Sequence, residues 1–89
     1  MIQTQINRTV IVTGAATGIG FAVADQFLQH GARVVLNGRT QAKLNDAAEQ
    51  LGHPDRVAIV VGDITQPKTA GEIVADSVKR FGGIDVLVN

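Results

Sequence analysis

Short apolar strands alternate with amphipathic helices along this chain, and this alternation constrains the fold more than any other feature. Runs rich in Val, Ile and Leu are typical of strands buried on both faces. The sequence contains four such runs, at 8–13, 32–36, 56–61 and 84–88. Between them, apolar residues recur at helical spacing and predict helices at 21–30, 40–51 and 67–81.

A β-α-β-α-β-α-β order predicts a parallel sheet, because parallel neighbours need a crossover connection. We therefore expect an α/β, Rossmann-type doubly wound sheet in which the fourth strand lies beside the first, in the order 3-2-1-4. The first two helices then share one face of the sheet, and the third helix covers the other face almost alone.

Local signals mark where the helices begin and end. Thr40 is suited to cap the second helix, and Pro67 suits the first turn of the third, where its missing N–H is not needed. Gly31 follows the first helix and can adopt a positive φ there. Ser77, the only serine, is interpreted as a surface residue of the third helix. The apolar residues predicted to face the sheet from that helix are Ile73, Val74, Val78 and Phe81.

Composition excludes several classes of function. Eight basic and eight acidic residues cancel, so no basic face for nucleic acid is predicted. The absence of cysteine excludes disulfides and thiolate chemistry. His30 and His53 stand apart and are interpreted as helix-end or loop residues, so no metal site is predicted. No run approaches the ~20 apolar residues of a membrane span. Residues 1–9 lack the apolar stretch of a signal peptide, so we expect a cytoplasmic protein without a membrane partner.

A glycine-rich stretch, TGAATGIG at 13–20, follows the first strand and opens the first helix. Gly14 can leave the strand with a positive φ, Gly18 lets a pyrophosphate approach the backbone, and Gly20 lets helix and strand pack closely. The first N–H groups of the helix then face the phosphates. Ala16 breaks the G-x-G-x-x-G spacing, and no Walker A lysine follows. The alternative is a plain strand-to-helix turn, which needs fewer glycines.

Three stretches together resemble the short-chain dehydrogenase/reductase (SDR) family. They are Thr13-Gly14-x-x-x-Gly18-Ile19-Gly20, Gly62-Asp63-Ile64, and Asp85-Val86-Leu87-Val88-Asn89. They lie at the distances usual in that family, and the resemblance covers about residues 8–89. It implies an oxidoreductase that acts on carbonyl or alcohol groups with a nicotinamide dinucleotide.

The resemblance also implies roles for the matching residues. Those that would line the pyrophosphate and the adenosine ribose are Gly14, Thr17, Gly18, Ile19 and Gly20. Ile19 would mainly offer its backbone N–H. Asp63 and Ile64 would meet the adenine, with the Asp63 carboxylate accepting from the exocyclic amine; the alternative for Asp63 is a solvated loop acid. Asn89 resembles the first residue of the family's Asn-Asn-Ala-Gly stretch, near the adenosine ribose.

The end of the second strand decides between the two dinucleotides. An NAD site usually carries Asp or Glu there, about 20 residues beyond the glycines. Asn37 or Gly38 holds that place, and Arg39 follows. A carboxylate would repel a 2′-phosphate, whereas a guanidinium can bind one through two parallel hydrogen bonds. The alternative is an ordinary surface arginine, but the missing acid and the present base together favour NADP(H) over NAD(H).

The family's catalytic Ser, Tyr and Lys belong to elements beyond the fourth strand, and this chain contains no tyrosine. No catalytic residue is therefore predicted. We expect residues 1–89 to be the N-terminal dinucleotide-binding portion of a single Rossmann domain, truncated after the fourth strand and inactive alone. The unpaired outer edge of that strand predicts self-association. The alternative function is a non-catalytic nucleotide-binding or interaction module.

Overall fold

The computed structural model describes residues 8–16 and 18–88. Its strands are β1 (Thr9–Thr13), β2 (Arg33–Gly38), β3 (Val57–Val61) and β4 (Val86–Val88), and its helices are α1 (Gly18–Gln29), α2 (Gln41–Leu51) and α3 (Pro67–Phe81). A short 3-10 turn, Pro54–Arg56, precedes β3. Every strand pair is parallel, and the order is β3-β2-β1-β4. This confirms the predicted Rossmann-type topology.

Two apolar layers sandwich the sheet. Because successive side chains of a strand point to opposite faces, Val10 and Val12 of β1 pack toward α1 and α2, whereas Ile11 packs toward α3. The first layer includes Leu28 of α1 and Leu44 of α2, both fully buried. The first two helices therefore share one face, as the sequence predicts.

A glycine ends α1 and turns the chain directly into β2. Gly31 has φ 90°, and its N–H donates to the Leu28 carbonyl while the Ala32 N–H donates to the Phe27 carbonyl, at 3.1 and 3.0 Å. This pair of bonds is a Schellman motif, which satisfies carbonyls that the end of the helix would otherwise leave unpaired. The predicted role of Gly31 is thereby confirmed.

Two predicted boundaries and one predicted cap differ from the structure. The α1 helix begins at Gly18, not at 21, so the last glycines of the turn belong to its first turn. The β2 strand extends through Gly38, since Asn37 and Gly38 still pair with β3. Thr40 is the N-cap residue of α2, as predicted, but its side chain makes no capping hydrogen bond.

The predicted inward face of α3 is wrong for two valines and for the serine. Val74 and Val78 are 50% and 53% exposed, whereas Thr69, Ile73 and Ser77 are buried. The Ser77 hydroxyl donates to the Ile73 carbonyl at 2.7 Å, so it is satisfied within its own helix. Small polar side chains on either side of Ile73 allow α3 to lie close to the sheet, and this sets the rotation of the helix.

The β4 strand begins at Val86, two residues later than predicted. Asp85, which precedes it, makes two hydrogen bonds to Thr9. Its backbone N–H donates to the Thr9 carbonyl at 2.9 Å, and its carboxylate accepts from the Thr9 N–H at 2.8 Å. These two bonds fix β4 against β1. Within the described residues, β4 pairs only with β1. In the same part of the chain, no helix has the length and hydropathy needed to cross a membrane.

Candidate functional site

A cleft of about 350 Å³ opens at the carboxyl edge of the sheet. Because carboxyl ends of parallel strands meet at one edge, this is where open α/β sheets bind ligands. Four of the predicted site residues line it: Gly14, Arg39, Asp63 and Ile64. Gly18, Ile19 and Gly20 lie at the adjoining start of α1. Thr17 and Asn89 lie outside the described residues.

The glycine turn has the geometry that its sequence predicts. Gly14 and Gly18 both have φ +61°, and a Cβ on either would meet no atom within 4 Å. A Cβ on Gly20 would lie 2.3 Å from the Gly14 carbonyl oxygen. Gly20 therefore permits α1 to pack against the turn, while Gly18 leaves open space in which a ligand can approach the backbone.

The start of α1 presents a positive electrostatic end beside this turn. A helix leaves its first N–H groups without intrahelical acceptors, and its dipole favours anions there. No acidic residue lies in the first turn of α1, so no carboxylate neutralises this end. The side chain of Ile19 is exposed, which agrees with a role for its backbone rather than its side chain.

Arg39 and Asp63 form an ion pair across the cleft. The Arg39 Nη2 lies 3.4 Å from the Asp63 Oδ2. The Asp63 Oδ1 accepts from both the backbone N–H and the hydroxyl of Thr65, at 2.9 and 2.7 Å. Because the Arg39 side chain is 77% exposed, the pair contributes little to stability. The two residues that sequence analysis assigned to the nucleotide are thus neighbours.

The contacts of Asp63 hold its carboxyl group in the charged form. The Thr65 hydroxyl and then the Thr65 N–H lower the pKa of Asp63 below its ordinary 3.8; partial burial opposes them, and the Arg39 charge adds the smallest lowering effect. Asp63 is therefore an acceptor at neutral pH.

The structure resolves which residue occupies the end of β2. Asn37 is 2% exposed, and its amide nitrogen donates to the carbonyls of Val60 and Gly62 at 2.9 and 3.2 Å. Its side chain is therefore engaged with β3. Gly38 follows it, where a Cβ would lie 3.2 Å from a methyl carbon of Leu44. The end of β2 thus carries no acidic side chain, and Arg39 comes next.

Sequence analysis missed two residues of the cleft. Lys43 lines it from the first turn of α2 and adds a second cation. The position of Lys43 could have been predicted from the sequence. The first turn of a helix that follows a strand lies at the same edge of the sheet as the end of that strand. Thr65 also lines the cleft and fixes Asp63. Its signal is the Asp-x-Thr spacing, which is typical of a side-chain turn.

The histidines have structural contacts. The His30 ring contacts the Gln26 carbonyl at 2.8 Å near the end of α1, and the His53 ring contacts the Arg56 guanidinium at 2.8 Å before β3. Both lie at the helix-end and loop positions that the sequence predicts. Among residues 8–16 and 18–88, no group of three or more His, Cys, Asp or Glu side chains is arranged to hold a metal ion.

Known proteins similar to this chain identify its family. The family model described as short chain dehydrogenase matches residues 8–89. The chain belongs to this family. The resemblance to the SDR family that the three sequence stretches indicated is therefore confirmed.

Individual SDR relatives are similar over almost the whole chain. An uncharacterized oxidoreductase of Staphylococcus aureus (strain USA300) is 39% identical over 83 residues, which cover 93% of this chain and 36% of the relative. The crystal structure of an SDR described as glucose/ribitol dehydrogenase from Brucella melitensis is 40% identical, with a TM-score of 0.93 over 98% of this chain and 37% of that one.

A third similar protein has a bound dinucleotide. L-sorbose reductase from Gluconobacter frateurii, crystallised with NADPH and L-sorbose, is 34% identical with a TM-score of 0.89, over 99% of this chain and 35% of that one. The chain spans about a third of the length of the relatives it matches.

Proposed function

We propose that this chain binds NADP(H) at the carboxyl edge of its sheet, as the dinucleotide-binding portion of an oxidoreductase that acts on carbonyl or alcohol groups. The observation that carries the proposal is the end of β2. Arg39 lines the cleft there, and the strand ends in Gly38 without a carboxylate. The NADPH bound to the similar L-sorbose reductase supports the same choice of cofactor.

The residues of the cleft fit the parts of such a dinucleotide. We assign the pyrophosphate to the glycine turn and the first turn of α1, where Gly18 leaves open space. We assign the 2′-phosphate to Arg39 and the adenine to Asp63 and Ile64. The remaining proposed contacts of the pyrophosphate and ribose come from Gly14, Thr17, Ile19, Gly20 and Asn89.

The Arg39–Asp63 ion pair is weak enough for Arg39 to exchange it for a phosphate. An exposed salt bridge such as Arg39–Asp63 contributes about 0–1 kcal/mol. A guanidinium can hold a phosphate through two parallel charge-assisted bonds, which are stronger than neutral ones. Binding of a 2′-phosphate therefore replaces a weak contact of Arg39 with a stronger one.

When bound, the nicotinamide supplies the hydride of the reaction. The residues of this chain bind and orient the adenosine and pyrophosphate parts of the cofactor. The chain contains no tyrosine, so we place proton transfer to the substrate oxygen outside these 89 residues. We accordingly propose that they act as the N-terminal, dinucleotide-binding portion of a single domain.

Replacement of Arg39 tests the choice of cofactor. Hydrogen bonds to charged groups contribute about 1.5–3 kcal/mol net, so Arg39→Ala should weaken NADPH binding by on the order of 10–100-fold. NADH binding should change by less than about 2-fold, because NADH has no 2′-phosphate. The measurement is a fluorescence titration of each protein with each cofactor.

Arg80→Ala is the matched control. Arg80 is also an exposed arginine with one carboxylate partner, Asp76 at 3.5 Å, but it lies on α3, away from the cleft. It should leave the affinity for both cofactors unchanged. Equal losses of NADPH and NADH affinity in Arg39→Ala would exclude Arg39 from the 2′-phosphate site.

A further inference from the structure

We propose that Asn37 is a positioning residue that holds the three turns of the cofactor cleft in one arrangement and thereby places Arg39 for the 2′-phosphate. The role of Asn37 toward the cofactor rests on the proposed function. Its role in joining the turns does not, because that role concerns contacts within the chain itself.

Asn37 connects the ends of three strands. It lies in β2, and its backbone carbonyl accepts from the Ala15 N–H of the glycine turn at 3.1 Å. Its side-chain amide donates to the carbonyls of Val60 and Gly62 at 2.9 and 3.2 Å. A single residue therefore bonds to the exits of both β1 and β3.

The chemistry of the side chain suits this connection. A primary amide nitrogen carries two hydrogens, and here each carbonyl can take one. An ionised carboxylate has no hydrogen to donate, and an aliphatic side chain has none either. Because Asn37 is 2% exposed and its bond to Val60 is buried, loss of the amide leaves the Val60 carbonyl poorly satisfied.

Only short stretches of backbone separate these hydrogen bonds from Arg39 and Asp63, the proposed cofactor contacts. Arg39 follows Asn37 by two residues, and Asp63 directly follows Gly62. The Gly62 N–H also donates to the Gly38 carbonyl at 2.9 Å, so the two turns are tied on both sides. These hydrogen bonds therefore fix the distance between Arg39 and Asp63. A guanidinium placed in advance loses less freedom on binding, which increases affinity.

The first test needs no ligand. Asn37→Leu removes both donors in a larger side chain of the same branching, and the Asp63 carboxyl is titrated by NMR in the parent chain and the variant. Looser turns weaken the Arg39 contact, which spans the two turns, whereas the Thr65 contacts lie within one turn. The pKa of Asp63 should therefore rise slightly toward 3.8. Leu51→Ala is the control, since Leu51 is buried at the far end of α2. It should lower stability without moving the pKa of Asp63.

The second test uses NADPH and NADH on the same three proteins, at equal folded fractions. Asn37→Leu should lower NADPH affinity by on the order of 3–10-fold more than NADH affinity. A purely structural role would leave the ratio of the two affinities unchanged, as Leu51→Ala should. If Asn37→Leu does not fold, Asn37→Ser keeps one donor and should show both effects at smaller size.

The outcomes separate the two proposals. If the parent chain binds neither NADPH nor NADH, the proposed function fails, and the Asp63 titration still decides whether Asn37 joins the turns. An unmoved pKa of Asp63 overturns the joining role. A moved pKa with an unchanged NADPH to NADH ratio overturns the placement of Arg39.

Discussion

Arg39 and Asp63 face each other across the cleft, so the charge of Asp63 influences what Arg39 can bind. The carboxylate lies 3.4 Å from the guanidinium and stays ionised at neutral pH because Thr65 donates two hydrogen bonds to it. An incoming 2′-phosphate must compete with this carboxylate for Arg39 and is also repelled by it. In the proposed site, Asp63 would favour the adenine amine and oppose the 2′-phosphate.

Replacement of Asp63 should therefore shift the preference between the cofactors. In Asp63→Asn the amide oxygen can still accept from the adenine amine, while the negative charge is gone. We expect the ratio of NADPH to NADH affinity to rise severalfold at low ionic strength and the rise to shrink with salt. Asp76→Asn, which removes the carboxylate beside Arg80, should leave the ratio unchanged. A fall in the ratio after Asp63→Asn would contradict this prediction.

The two glycines at the start of α1 should respond differently to substitution. Gly18→Val places a branched side chain in the open space at φ +61°, so dinucleotide binding should be lost, with strain of about 1–3 kcal/mol. Gly20→Ala would place a Cβ against the Gly14 carbonyl, so it should mainly reduce the free energy of unfolding. Titration with NADPH and urea unfolding of both variants distinguish these effects. If Gly18→Val binds NADPH as well as the parent chain does, the phosphates bind at another position.

Among the helices, α3 shows how the choice of buried face depends on packing distance. Its buried stripe consists of Thr69, Ile73 and Ser77, and a Cβ on Gly62 would lie 2.6 Å from the Thr69 Oγ1. Such proximity requires small side chains where the helix meets the sheet. The larger Val74 and Val78 remain outside this contact, although their apolar character suggested the reverse.

A larger side chain at position 77 should disturb this contact. Overpacking a close-packed interior typically costs about 1–3 kcal/mol, so Ser77→Leu should lower the free energy of unfolding by that amount. Val78→Leu, one residue along on the exposed side, should change it by less than about 0.5 kcal/mol. Urea unfolding monitored by circular dichroism provides both values. Equal effects of the two substitutions would show that Ser77 does not face the sheet.

At the scale of the whole molecule, the outer side of β4 is exposed in the described part of the chain. Within the described residues, β4 pairs only with β1. Leu87 of β4 and Ile84, two residues before the strand, are exposed. An unpaired strand edge offers N–H and C=O groups to another chain. Pairing of two copies through β4 would satisfy these groups and cover the apolar side chains.

We therefore expect the isolated 89-residue chain to self-associate with increasing concentration, as measured by light scattering. A charged residue on an edge strand opposes such pairing, so Leu87→Lys should shift association to higher concentration by several-fold. Val74→Lys is the matched control, because Val74 is also exposed but lies on α3. A chain that stays monomeric, or an equal effect of the two lysines, would argue against association through β4.

The order of elements, the parallel topology and the glycine turn could all be predicted from the sequence, because they depend on local periodicity and on the conformational freedom of glycine. Local chemistry also marks the end of α1 by the positive φ of Gly31 and the start of α3 by Pro67. Arg39 could also be assigned to the cleft from sequence, since the end of a parallel strand always lies at the carboxyl edge of the sheet.

The structure was needed to learn which side of α3 is buried, because periodicity does not specify how closely a helix approaches the sheet. It also decided between Asn37 and Gly38 at the end of β2. The amide of Asn37 has partners 23 and 25 residues away, and Arg39 meets Asp63 across 24 residues. Contacts at such separations depend on strand register and on the paths of the turns, and these arise only when the whole sheet assembles.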